Sequence, residues 1–268
     1  MKDMIIKSSI LKDRGITPIY FDTVDSTSSA ARRYAADGAV TSPALFIADS
    51  QSAGRGRLGR SFYSPASTGI YETLLLDVTC DSPASLSLVT SAVAVAVSDA
   101  ILEVTGIDCR IKWVNDVYVG GKKAGGILTE SFFVGERRML AIGVGVNLST
   151  ESFPAELKDI ATSLCDSPSE SIRASLTCRI AANIFDIYER VRSGDRGFMD
   201  EYRRRSAVLG KRITFTQNGI AQSGLATEIN DEGHLSVALD DGTRATLSSG
   251  EISVRLDSTD TEENHEQG

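Results

Sequence analysis

The sequence predicts an α+β fold: a mixed sheet with helices, followed by a small antiparallel barrel. Strand-like segments ahead of Leu209 are joined by hairpins, with helices inserted irregularly, which argues against a doubly wound parallel sheet. From Leu209 onward the chain turns to short alternating segments, five in fewer than fifty residues, the pattern of a small barrel of SH3 type.

The elements read in order as follows. The first unit begins near Ile16, where TPIYFDTV is a strand. Asp25 or Ser26 caps a short helix that Gly38 terminates. ALFIADSQ is a strand, residues 60–69 are a loop around Pro65 and Gly69, and IYETLLLDV is the next strand. A long helix runs from Ala84 until Gly106 ends the pattern. CRIKW, VYV, the stretch after Lys123 and MLAIGVGVNL are strands, and Gly120-Gly121 makes a tight hairpin with primed turn geometry. SIRASLTCRIAANIFDIYERV and FMDEYRRRSAV are helices, and KRITFTQ, IAQSGLATEI, HLSVAL, RATLSS and ISVRL form the barrel. The expected division is 1–206 for the larger domain, 207–256 for the barrel and 257–268 for a disordered acidic tail, which has nothing apolar to bury.

Composition narrows the function. No apolar run approaches the ~18 residues of a membrane span. The start, MKDMIIKSSILKDRG, lacks a secretory pattern, so a cytoplasmic location without membrane attachment is expected. Cys80, Cys109, Cys165 and Cys178 form no C-x-x-C pair, and only His234 and His265 could complete a metal site, so neither a disulfide framework nor a protein-held metal is expected. With two histidines, an imidazole-activated nucleophile is hard to build. Chemistry by positioning and charge is the alternative. The net charge is −8, and the tail supplies five of the 36 acidic residues and no Lys or Arg, so the rest is nearly balanced and offers nucleic acid no general attraction.

Two segments carry chemistry. Gly54-Arg55-Gly56-Arg57-Leu58-Gly59-Arg60 matches G-x-G-x-x-G literally, but a dinucleotide site needs a helix directly after it, and Ser64-Pro65 forbids a long one. The segment is either a solvated basic loop or an anion cradle, with guanidinium forks on a backbone free to wrap phosphate or carboxylate. The second segment is Lys112-Trp113-Val114-Asn115-Asp116, followed by Lys122-Lys123 and Gly125-Gly126. It is no Walker loop, and strand geometry lets at most one of the two lysines enter a cleft. An exposed charged hairpin is the plain alternative. Gly143 and Gly145 within GVGVN, like Gly125 and Gly126, mark close approach of ligand or backbone, or packing of a helix.

Together and in this order these pieces resemble the catalytic domain of biotin–protein ligases. The matching pieces are the Asp25-Ser26-Thr27 helix entry, Gln51 to Arg60, Lys112 to Glu130 and Gly143 to Asn147; the segment ending in GEISVR is similar to that family's C-terminal module. Three positions depart from the family pattern: Ser28 stands where Asn is usual, Val114 where Pro is frequent, and Phe62 where Trp is typical.

The resemblance implies a fold related to class II aminoacyl-tRNA synthetases. It also implies ATP- and magnesium-dependent attachment of biotin to a lysine of a biotin carboxyl carrier protein domain. On that basis Ser26, Thr27, Ser28 and Gln51 hold biotin's neutral head, with Gly126 beside it. Arg55, Gly56 and Arg57 close over carboxylate and phosphate, and Lys123 sits at the reacting carboxylate. Arg60, Phe62, Lys112, Asn115 and Asn147 serve the adenylate, Asn147 at adenine. Asp116 orients either the acceptor lysine or a magnesium ion, so that Arg57, Asp116 and Lys123 form the catalytic set. Lipoate- or octanoyl-transferring relatives and a catalytically silent biotin binder are the rivals. A repressor's helix-turn-helix takes roughly sixty residues, and about fifteen precede the first unit, so no DNA contact through such a module is expected. A homodimer is left open.

Overall fold

The computed structural model describes residues 1–38, 43–217, 219–248 and 254–256. Its larger part is one seven-stranded sheet. The strands are β1 (Thr17–Val24), β2 (Ala44–Gln51), β3 (Gly69–Asp77), β4 (Arg110–Lys112), β5 (Asp116–Val119), β6 (Lys122–Val134) and β7 (Arg137–Asn147), in spatial order β1-β2-β3-β7-β6-β5-β4. Only β1 and β2 pair in parallel, across the intervening helix α3 (Thr27–Ala36), and every other neighbour is antiparallel. The sheet is therefore mixed.

Helices cover both faces. Ala30, Ala31 and Ala35 let α3 lie close on Phe46, Leu75 and Ala141 of one face. On the other face lie α4 (Pro83–Thr105) and α5 (Glu170–Arg192), which pack on each other and over Ile47, Leu74 and Ile142. Pro83 at the first position suits a helix start, where its missing N–H is no loss. Gly106 at φ +75° supplies the left-handed stop. Ser169 caps α5 by accepting from the Ile172 amide. Composition alone is misleading at one point: Leu86–Thr105 has the length and mean hydropathy, 1.7, of a membrane span. Its side chains are mostly buried in the core of this fold, which corrects the expectation that no segment comes near that length.

The first unit starts earlier than Ile16. Helices α1 (Lys2–Ile6) and α2 (Ser9–Lys12) pack Ile5 and Leu11, both essentially inaccessible, against α5 and β1. Arg14 pairs with Asp186 on α5. Helices this short show too little of the i, i+3, i+4 repeat to be read from sequence.

After α6 (Phe198–Arg204) comes a second, antiparallel sheet of β8 (Arg212–Gln217), β9 (Ile220–Ile229), β10 (Leu235–Leu239), β11 (Arg244–Leu247) and β12 (Val254–Leu256), in order β11-β10-β9-β8-β12. Ile213, Phe215, Ala226, Leu235, Val237 and Leu247 form its buried side. Most of the GEISVR segment and the acidic tail lie outside the described residues.

Candidate functional site

The site forms where the N-terminus of α3, the end of β2, the 52–68 loop, the β5–β6 hairpin and the middle of β7 converge. Its floor is main chain. A Cβ on Gly143 would lie 2.8 Å from the Ser28 hydroxyl, and one on Gly145 would lie 2.6 Å from the Phe62 ring. The glycines of GVGVN are thus required by close approach of α3 and of the aromatic after the basic loop. Gly126 leaves room for Lys123, whose Nζ would be 3.2 Å from an added Cβ.

One end of the first cleft is polar and uncharged. Ser26 occupies the N-cap position of α3 but makes no side-chain cap bond, contrary to the capping role read from sequence. The helix's first orphan amide, at Thr27, instead donates to Gln51 Oε1 at 2.9 Å. Gln51 Nε2 donates to the Ser64 hydroxyl at 2.9 Å, which fixes the amide's orientation. Thr73 on β3 joins Thr27 and Ser28 through their hydroxyls at 2.9 and 3.1 Å. Asp25 turns away to pair with Arg33 through two 2.7 Å bonds, which hold its carboxyl down at about 2.

The other end is cationic. Arg57 donates to Asn115 Oδ1 at 3.0 Å, and Asn115 Nδ2 donates to the Ile127 carbonyl at 2.8 Å. Burial draws the Arg57 guanidinium below its ordinary value, opposed by the Asp116 charge, and it remains a cation at neutral pH. Lys123 Nζ meets Asp116 Oδ1 at 2.6 Å, while Lys122 reaches the Lys158 carbonyl on the outside. A bulge between Val117 and Tyr118 precedes that placement. The first cleft includes Ser26, Thr27, Ser28, Gln51, Arg57 and Lys123 in its lining, with Arg55, Gly56 and Gly126 around them. A second is lined by Arg57, Arg60, Phe62, Lys112, Asp116 and Lys123 among others. The two adjoin through Arg57, Phe62, Asn115 and Lys123.

Two expected residues are engaged elsewhere. Arg55 is held by Glu130 on β6 through two bonds at 2.7 and 2.8 Å. Asn147 lies beyond both clefts, with its amide donating to the Thr162 carbonyl at 3.2 Å. Lys112 borders the second cleft with its ammonium against Tyr118. Burial, aided by Asp116, pushes the Tyr118 hydroxyl up to about 12.

Glu130, Ser64 and Thr73 were not read from sequence, because each acts on a partner from a different element. Arg173 on α5 was missed for the same reason. Buried, it braces the end of the loop by donating to the Gly69 carbonyl at 2.9 Å and to Asp49 at 2.6 Å. Among the described residues no group of three or more His, Cys, Asp or Glu is placed to hold a metal ion.

The first cleft thus brings hydroxyls and an amide into one lining with the Arg57 and Lys123 cations. Residues 20–147 match the Biotin/lipoate A/B protein ligase family, and residues 208–255 match the Biotin protein ligase C terminal domain. The biotin–[acetyl-CoA-carboxylase] ligase of Mycobacterium tuberculosis is 31% identical over 239 residues, 85% of each chain. The bifunctional ligase/repressor BirA of Bacillus subtilis is 41% identical over 159 residues, 58% of this chain and 48% of that one. The chain thus spans about half the length of the Bacillus ligase/repressors it matches. A solved biotin protein ligase from Aquifex aeolicus, in complex with biotin and ATP, superposes with a TM-score of 0.72 at 27% identity, covering 90% of this chain and 99% of that one. The chain belongs to the biotin protein ligase family.

Proposed function

We propose that this chain is an ATP-dependent biotin–protein ligase. It joins biotin to the α-phosphate of ATP, releasing pyrophosphate, and then passes the biotinyl group to a lysine of a biotin carboxyl carrier protein domain, releasing AMP. The observation that supports this most is the polarity of the first cleft, with Ser26, Thr27, Ser28 and Gln51 at one end and Arg57 and Lys123 at the other. A cyclic urea has donors and acceptors for the first set, and a carboxylate lies naturally against the second.

The residues work by positioning and charge. Arg57 stands between the two clefts, where carboxylate and phosphate would meet. Lys123 neutralises the attacking carboxylate, and Asp116 holds that lysine until the anion arrives. Once adenylate forms, Asp116 can orient the acceptor lysine and take its proton, so that the neutral amine attacks the biotinyl carbonyl. Magnesium enters as the counter-ion of ATP, whose phosphates face Arg60 and Lys112. Asn147 donates one amide hydrogen to the Thr162 carbonyl and keeps the other, with Oδ1, for adenine. Residues 1–206 form the catalytic unit in this reading, and 207–256 the appended module.

Biotin-dependent ATP–pyrophosphate exchange on the purified chain tests the proposal. Exchange that requires biotin supports it; absence of exchange with biotin binding intact leaves a silent binder.

A further inference from the structure

The Lys112–Asp116 segment is held from behind by groups outside both clefts. Trp113 is 6% exposed, and its indole Nε1 donates to the Gly233 carbonyl at 3.0 Å, across 120 residues. Gly233 belongs to the turn between β9 and β10, which Asn230 builds. Asn230 Oδ1 accepts from the Glu232 and His234 amides at 3.1 and 2.8 Å, and its carbonyl accepts from Gly233 N at 3.0 Å. The turn is seated on α4: a Cβ on Gly233, at φ +77°, would lie 3.4 Å from Leu88 and 3.5 Å from Ser91. Next along, the Val114 carbonyl accepts from the Tyr202 hydroxyl of α6 at 3.0 Å. The following residue, Asn115, accepts from Arg57. An unbroken line of contacts therefore runs from the appended sheet to the guanidinium between the clefts.

We propose that the Asn230–His234 turn is a positioning element for adenylation, acting through Trp113 and Asn115 on Arg57. Packing alone lets a flat indole slide in its plane, whereas the N–H bond to Gly233 fixes where it stops. Asn115 is also tied to Ile127 through its amide and its carbonyl, so Trp113 governs the freedom those ties leave, and a displacement of the order of 1 Å at a charge-stabilising group is worth about 100-fold in rate. This inference rests on the ligase reading of the site and assigns the appended module a part in the first step.

The test uses the full chain with Asn230→Ala, Asn230→Asp and Trp113→Phe. Biotin-dependent pyrophosphate exchange, biotin affinity by calorimetry and the fraction folded are measured for each. Asn230→Ala and Trp113→Phe should each lower kcat for exchange at least about tenfold per folded molecule and weaken biotin binding in step, since Arg57 also lines the first cleft. Asn230→Asp keeps the acceptor oxygen and should restore the rate. The double variant should be no slower than the slower single one, because both cut the same line. Unchanged rates in Asn230→Ala, additive losses, or a fall in rate that merely follows the fraction folded would each overturn the proposal. If the wild-type chain shows no exchange, the ligase reading fails separately. Amide hydrogen exchange then decides: residues 54–60 and 112–116 must lose protection in both single variants while β3 and β7 keep theirs, and equal protection everywhere overturns the inference.

Discussion

Arg55 grips both oxygens of Glu130, whereas Arg57, two residues further along the same loop, donates to the neutral amide of Asn115. A bidentate ion pair anchors, whereas the Arg57 guanidinium lines both clefts. The first arginine therefore fastens the loop and the second presents charge.

Arg57→Ala should remove a charge-assisted contact worth ~1.5–3 kcal/mol, about 10- to 150-fold in adenylation. Glu130→Gln should act on the loop instead, raising protease cleavage at Arg55–Arg60 in the ligand-free protein. Biotin and ATP together should lower that cleavage in wild type, since contacts to ligand offset the cost of ordering a loop. Limited proteolysis with and without both ligands measures this.

The lysine pair should divide in the same way. Lys123→Ala leaves Asp116 without its 2.6 Å partner and the carboxylate without a cation, so adenylation should fall about 10- to 150-fold. Lys122→Ala breaks only an exposed 3.4 Å contact to a carbonyl and should leave adenylation nearly unchanged. Exchange assays on the two variants compare them directly.

Choice of acid should reside in Ser26, Thr27, Ser28 and Gln51. Groups matched by a cyclic urea are left unpaired by an alkyl chain, at ~1–3 kcal/mol for each. Isothermal titration should find lipoate and octanoate orders of magnitude weaker than biotin. Tighter binding of octanoate would move the chain to the acyl-transferring relatives.

Glu72 sits on the interior strand β3 in the lining of the first cleft, 1% exposed, and neither carboxyl oxygen has a hydrogen-bond partner. Burial, which desolvates the charged form, raises its pKa well above the ordinary 4.5. A raised folded value contributes stability that is fully present below about 4.5 and is lost as pH rises through the folded value. Denaturant unfolding at stepped pH should show that loss in wild type and not in Glu72→Gln. Glu72→Met, which removes the unpaired group, should stabilise the protein by about 1–3 kcal/mol at neutral pH.

Legibility followed the range of the interactions concerned. The bounds of β2 were readable because five buried residues lead into a polar end within one strand. The Gly120-Gly121 hairpin was readable because its geometry is local, and both residues have positive φ, 56° and 77°. The Arg–Gly loop and the Lys112–Asp116 segment announce themselves by spacing. Strand order was not readable, because β3 finds β7 across a helix and three intervening strands. The engagement of Asn147 with Thr162 and the burial of Glu72 were hidden for a related reason. Both depend on what another element brings near, and a residue type alone does not record that.

The glycine floor gives the site a direction of change. Where main chain at Gly143 and Gly145 already meets Ser28 and Phe62, any substitution there adds atoms and none can remove them. Point mutation at these positions can therefore narrow the cleft or block it, but cannot widen it. A variant that accepts an enlarged biotin analogue has to come from the walls, by shortening side chains such as Leu128 or Phe62 that can still be cut back.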